Sequence, residues 1–319
     1  MIATVTLNPA LDKVYRVNKL NLNGVNRVLD VSAAPGGKGI NVARVAHLLG
    51  APVVATGFLG GAAGRIILES IGARGIMADF INIRGDSRET ITIIDEAART
   101  QTELLEPGPI VRENEVYSMT GKVSELACKS GVVCFSGSLP GGLAPDYYAT
   151  LVRAAKAAGA VTMLDTSGQY LSSGLKGAPF FSKPNLDELE QWLGHRPGTI
   201  DEVVKAGQRI LELGVKLAVV TLGKEGSVAV TENSVWRVES PAVRAVNTVG
   251  CGDALVAGCA VHFSSLQAEP GEDDIETALI LGTAAAASNA LNFSAGDVRP
   301  EEVDSLLKKV VVERKKAPF

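Results

Sequence analysis

The chain has 319 residues, enough for one large α/β domain or two modest ones. With 46% apolar and 21% charged residues and a net charge of −4, it lacks the basic excess that duplex nucleic acid demands of a partner. No apolar run reaches the length of a bilayer span, and Met1-Ile2 leads straight into a strand-like segment without room for a signal peptide, so a cytoplasmic protein is expected. Cys128, Cys134, Cys251 and Cys259 show no C-x-x-C spacing and no clustering with His47, His195 or His262. Zinc, a disulfide framework and histidine-based nucleophilic catalysis therefore have no visible constellation.

In chain order, short apolar β-rich runs lie at 2–7, 53–58, 132–135, 161–164 and 217–221, and amphipathic stretches at 41–49, 147–158 and 200–213. This alternation predicts a mostly parallel sheet covered by helices on both faces. Gly-rich turns at 57–64, 136–142 and 223–226 follow strands, and in open α/β sheets ligands sit beyond the carboxyl ends of the strands. Two pairs of β-like runs, 13–17 with 27–32 and 89–94 with 100–105, have no helix between their members. They predict a small β-sheet layer, drawn from about 11–34 and 86–108, that projects from the α/β core, covers a site, and pairs with a second subunit. The tail 310–319 reads as a solvated, fraying helix end.

Two glycine clusters carry the chemistry. In Asn247-Thr248-Val249-Gly250-Cys251-Gly252-Asp253, the glycines make a tight turn whose N–H groups can face one anion. The apolar run from Ala254 reads as a buried helix, which sets that anion at the positive end of a helix dipole. Asp253, in the first turn, can accept a proton from an attacking hydroxyl. Upstream, Pro35-Gly36-Gly37-Lys38-Gly39-Ile40-Asn41 allows close backbone approach at Gly36 and Gly37 and offers the Asn41 amide. Together they read as opposite sides of one site, where a sugar hydroxyl meets the γ-phosphate of ATP. The P-loop, G-x-G-x-x-G and protein-kinase motif sets are absent.

Both glycine motifs, in this order and separation, resemble those of the PfkB, or ribokinase-like, family of sugar kinases, and the likeness covers nearly the whole chain. Thr6-Leu7-Asn8-Pro9-Ala10-Leu11-Asp12, Val25-Asn26-Arg27-Val28, Thr102-Glu103-Leu104-Leu105-Glu106-Pro107-Gly108-Pro109, Ser136-Gly137-Ser138-Leu139-Pro140 and Ser182-Lys183-Pro184-Asn185 resemble the members that act on phosphorylated hexoses. The resemblance implies a single three-layer ribokinase-like domain over 1–319 with a β-sheet lid. It makes Asp253 the base, with Gly250, Cys251 and Gly252 stabilising the transferred phosphoryl group. The family usually has Ala or Ser at the position of Cys251, where a small packing residue suffices.

Asp12, Gly36, Gly37 and Asn41 are expected at the sugar, and Ser138 either there or as a turn residue. Arg88, Lys38 and Arg27 are the candidates for the phosphate already on the sugar, Arg27 across a subunit boundary. Asn185 and Glu188 match the N-x-x-E element tied to Mg²⁺ and its waters, and equally a capping box. Lys183, Thr221, Gly223 and Gly226 are expected at the nucleotide, although the Thr221–Gly226 stretch also reads as a hairpin turn. Asn289 is expected near the adenine. The implied reaction is ATP- and Mg²⁺-dependent phosphorylation of a ketohexose monophosphate by a homodimer. Fructose 1-phosphate comes first, then tagatose 6-phosphate and fructose 6-phosphate; a non-catalytic sugar-phosphate-binding regulator is the alternative.

Overall fold

The computed structural model describes residues 1–318. Its main sheet has eleven strands. From one edge run Val311–Lys316, Ser234–Glu239, Ser227–Val230, Leu217–Thr221, Phe181–Ser182, Val161–Asp165, Val132–Ser136, Ile2–Thr6, Val53–Leu59 and Met77–Ala78, with Ile81–Asn82 also pairing to Val53–Leu59. From Leu217–Thr221 to Met77–Ala78 every pairing is parallel, and the remaining three strands close the other edge antiparallel.

The period-2 alternation of the strands divides the core. Ile2, Val132 and Cys134 pack under helices Lys38–Leu48, Gly61–Ala73, Cys251–Ser264, Glu272–Leu291 and Pro300–Leu307. Ala3, Val133 and Phe135 pack under Glu113–Ala127 and Tyr147–Ala157 on the opposite face. A third cluster joins Ala218, Val220, Val228 and Val230 to helix Ile200–Leu211. The result is the expected α/β three-layer arrangement. Among the described residues no helix is long and apolar enough to cross a membrane.

A separate four-stranded sheet, ordered Asp30–Gly36, Ala10–Val17, Arg88–Asp95 and Thr100–Leu105, is built from two excursions of the chain. Its two central strands run parallel, Ala10 opposite Arg88 and Val17 opposite Asp95. The second strand starts at Asp30, three residues later than the 27–32 run predicts. Asn26 bonds both ways with Asn21 and holds 21–26 as a loop, so Arg27 is exposed and lies outside any strand.

The C-terminal expectation is overturned. Val311–Lys316 is a strand paired antiparallel with Ser234–Glu239, not a fraying helix end. The β-branched Val311 and Val312 favour the extended form. Arg314 anchors it by stacking 5.3 Å from the Trp236 ring centroid and pairing with Glu272 and Asp273. Phe319, the last residue of that expected tail, lies outside the described residues.

Candidate active site

The glycine turn before Asp253 is formed as expected. Gly250 is the N-cap of helix Cys251–Ser264 in the left-handed region, φ 83°. That helix is apolar on all sides and buried on nearly all, so its N-terminus is fixed in place. The Cys251 N–H turns back to the Thr248 carbonyl at 3.3 Å. The N–H groups of Gly250, Gly252 and Asp253 make no hydrogen bond among the described residues, which leaves them available to an anion. Asn289, wholly buried, donates to the Val249 carbonyl at 2.9 Å and accepts from the Gly296 N–H at 2.8 Å. Its side chain therefore braces the turn. Burial pushes the Cys251 thiol up and the Asn289 contact draws it back only in part, so it stays protonated, as a packing residue would.

Asp253 is 6% exposed, and its Oδ2 accepts from Asn41 Nδ2 at 2.8 Å. Asn41 lies one turn into helix Lys38–Leu48, so the two glycine clusters, more than 200 residues apart, meet at this hydrogen bond. The structure thus gives Asn41 a partner in Asp253. Burial and the Asp165 carboxylate push the Asp253 carboxyl up to about 7, against Lys38 and the Asn41 hydrogen bond.

Asp165 is the functional residue that the sequence reading missed. It ends strand Val161–Asp165 and is 1% exposed. Its Oδ1 lies 3.1 Å from Lys38 Nζ and its Oδ2 3.4 Å from Lys183 Nζ. Burial works against its charge, yet Lys183 and Lys38 outweigh burial and hold the carboxyl below the usual range. Lys38 also bonds Glu188 at 3.1 Å; burial opposes its charge, but Asp165 and Glu188 keep the ammonium above the usual lysine range. Lys38 is thereby placed with Asp165, Glu188 and Asp253. Lys183, buried, reaches toward the turn: a Cβ on Gly252 would sit 3.1 Å from its Nζ.

Asn185 and Glu188 form the reciprocal capping box of helix Leu186–Leu193. Thr221–Gly226 is the hairpin turn between antiparallel strands, and Asn185 bridges to Thr221, which brings the two segments together. Gly223 and Gly226, φ 62° and 88°, shape that turn. Among the described residues no three His, Cys, Asp or Glu side chains gather as a metal cage. Glu188 beside Asp165 suits an ion held mostly by water and phosphate oxygens.

At the other end of the site, Asp12 and Arg88 rise from neighbouring strands of the small sheet. Asp12 Oδ1 accepts from the Thr90 hydroxyl, and burial, offset partly by that bond and by Arg88, raises its carboxyl. A Cβ on Gly36 would lie 1.8 Å from Asp12 Oδ2, so only glycine lets the strand Asp30–Gly36 pass this carboxylate. Gly37, φ 116°, caps the helix that begins at Lys38. Arg88 donates from Nε to the Asn8 carbonyl at 3.2 Å and from Nη1 to the Glu106 carbonyl at 3.3 Å. Burial lowers its guanidinium while Asp12 and Glu106 support its charge. Ser138 follows strand Val132–Ser136 and lies beside Asn8.

Known proteins match this arrangement. The pattern of the pfkB family carbohydrate kinases covers residues 5–302. A tagatose-6-phosphate kinase of Staphylococcus epidermidis is 38% identical, over 98% of this chain and 99% of that protein. Phosphofructokinase-2 of Escherichia coli in complex with fructose-6-phosphate superposes with a TM-score of 0.86 at 27% identity, over 96% of this chain and 98% of that one. The same enzyme in its tetrameric inhibited form gives 0.87 at 28%, with the same coverage. A possible 1-phosphofructokinase of Thermotoga maritima gives 0.83 at 29%, over 99% and 100%. With its two glycine clusters joined at one buried aspartate and its length matched nearly end to end, the chain belongs to the pfkB family of carbohydrate kinases.

Proposed function

We propose that this kinase transfers the γ-phosphoryl group of ATP to a free hydroxyl of a ketohexose monophosphate, giving a bisphosphate. The Asp253–Asn41 pair, beside N–H groups that make no hydrogen bond among the described residues, carries the reading. A carboxyl poised at about 7 can take a proton near neutrality, and donors beside it can hold the moving charge. As the acceptor oxygen bonds to the γ-phosphorus and the bond to ADP breaks, the acceptor's proton passes to Asp253. Gly250 and Gly252 stabilise the phosphoryl oxygens, and Lys38 and Lys183 supply positive charge. Mg²⁺, held by Glu188 through water, would neutralise charge on the nucleotide phosphates. Four free thiols and the reliance on ATP favour a cytoplasmic setting.

Asp12 and Arg88 favour a sugar that already bears a phosphate, because one accepts from hydroxyls and the other binds an anion. Fructose 1-phosphate is placed first on the strength of the motif blocks, and tagatose 6-phosphate second on the 38% identity to a kinase of that name. ATP turnover against fructose 1-phosphate, tagatose 6-phosphate, fructose 6-phosphate and the unphosphorylated ketohexoses tests the reading; preference for an unphosphorylated sugar would overturn it. Arg88→Ala should raise the KM for the sugar phosphate at least about tenfold while leaving that for ATP nearly unchanged. Equal changes in both would return Arg88 to a structural role.

The lid also bears on assembly. Leu22, Val25, Leu29, Val31, Leu104 and Leu105 are 53–85% exposed on it, and both outer strands present open edges. These features support a homodimer joined through the lids, in which Arg27 serves the neighbouring site. Sedimentation should find a dimer whose activity falls on dilution into monomer. A fully active monomer would end this part of the reading.

A further inference from the structure

Asn8 sits where the core strand Ile2–Thr6 passes into the lid strand Ala10–Val17, with 5% of its surface exposed. Its side-chain nitrogen lies 3.2 Å from the Pro107 carbonyl oxygen and 3.1 Å from Ser138 Oγ. A carbonyl only accepts, so the Pro107 contact fixes which end of the amide faces these groups. The amide NH₂ only donates, so Ser138 must accept from it. An accepting hydroxyl keeps its own proton and one lone pair for other partners, and with Asn8 on one side the Ser138 proton is free to be donated to the site.

The lid closes tightly on the same side chain. Gly108 has φ 94°, and a Cβ there would fall 2.2 Å from Asn8 Oδ1, a buried oxygen without a hydrogen-bond partner among the described residues. The backbone carbonyl of Asn8 meanwhile accepts a hydrogen bond from Arg88 Nε, and Nη2 of that guanidinium makes no hydrogen bond among the described residues. Two donors, one neutral and one charged, thus flank one residue at the base of the lid. Two groups that each have a proton to give suit a phosphoryl group, which at neutral pH offers mainly acceptors. A sugar hydroxyl, which both gives and takes, has no such preference.

We propose that Asn8 is a positioning residue: by donating to Ser138 it sets that hydroxyl as a donor, and so makes the lid base selective for the phosphate the sugar already carries. This rests on the ketohexose-monophosphate reading above and adds to it the residue that tells a phosphate from a hydroxyl. The side chain donates to Ser138 and to the Pro107 carbonyl, while its residue touches Arg88 only through the backbone, so the Ser138→Ala background isolates the part that runs through the hydroxyl.

The test compares Asn8→Ala, Ser138→Ala and their combination, with kcat/KM measured on phosphorylated and unphosphorylated ketohexose. Asn8→Ala should lower kcat/KM for the sugar phosphate about tenfold through KM, the scale of one hydrogen bond to a charged group. The unphosphorylated sugar and ATP should change less than about twofold. In the Ser138→Ala background, Asn8→Ala should add less than about twofold. Additive losses, or equal losses on both sugars, overturn the proposal. Should Asn8→Ala fail to fold, the isosteric Asn8→Asp carries the same comparison: its carboxylate only accepts, so the Ser138 O–H donates to it instead of to the site, and the change should cost more than the alanine. Calorimetry with inorganic phosphate reads the subsite without turnover. Weaker phosphate binding in the Asn8 variant supports the proposal even if no ketohexose phosphate is a substrate, an outcome that would sink the function reading alone; unchanged phosphate binding overturns the proposal.

Discussion

Asp253→Asn is expected to fold and to bind the sugar phosphate, while turnover falls by ~10²–10⁴-fold, the range over which general acid–base catalysis acts. In the parent enzyme kcat/KM should climb with pH as the carboxyl, at about 7, gives up its proton, and then level off. The same carboxyl affects stability, with the opposite slope. Its folded value lies above the ordinary 3.8, so the fold favours the protonated form. That advantage is complete below 3.8 and is lost as pH rises through about 7. The Asn variant has no charge to bury, so it should melt above the parent at pH 8, with the gap closing toward pH 4. Near-normal turnover in the variant would remove Asp253 from the mechanism.

Asp165→Ala should destabilise by ~3–5 kcal/mol, the cost of leaving a buried charge without its partner. The loss falls on Lys183, whose side chain is 4% exposed and whose one ion pair among the described residues is with Asp165. Lys38 suffers less, because it is 34% exposed and keeps Glu188. Adding Lys183→Met to the alanine variant should recover much of the loss in chemical denaturation, since the orphaned ammonium goes with it. The milder Asp165→Asn should shift the rising limb of the pH–rate profile to lower pH, because a negative neighbour that raises Asp253 is gone. A pH profile that does not move would show that Asp165 is too well screened by its two lysines to act on the base.

The core strands were legible because β-branched runs alternate with amphipathic stretches, and the structure moves their ends by only a residue or so at most positions. The lid was legible at Thr90-Ile91-Thr92-Ile93, where alternation is clean and the strand Arg88–Asp95 follows it. It was misplaced near Arg27 because Val25, Val28 and Leu29 are apolar yet exposed, so hydrophobicity there did not mark a strand. The tail misled for the converse reason. Its charges read as solvated, while Arg314 spends its charge on Glu272 and Asp273 and its flat face on Trp236.

At the site, local motifs showed Asp253 and the glycine turn, and the capping box of Asn185 and Glu188 is formed as its spacing requires. Asp165 stayed hidden because Asp-Thr-Ser-Gly reads as a turn, and its partner Lys38 lies 127 residues away. Its place at the carboxyl end of a parallel strand was the one available signal.

The parallel pairing of Ala10–Val17 with Arg88–Asp95 has a kinetic consequence. Thr90 reaches Asp12 across 78 residues of chain, so the lid's central contact closes a long loop before any reward arrives. The intervening helices Lys38–Leu48 and Gly61–Ala73 pack on the core sheet, so their docking shortens the effective loop. Refolding should therefore pass through a species with a formed core and the two halves of the lid not yet joined, and activity should return with the slower phase. During synthesis Ala10–Val17 can pair early with its antiparallel neighbour Asp30–Gly36, but its other edge must wait, open, until residue 95 has emerged.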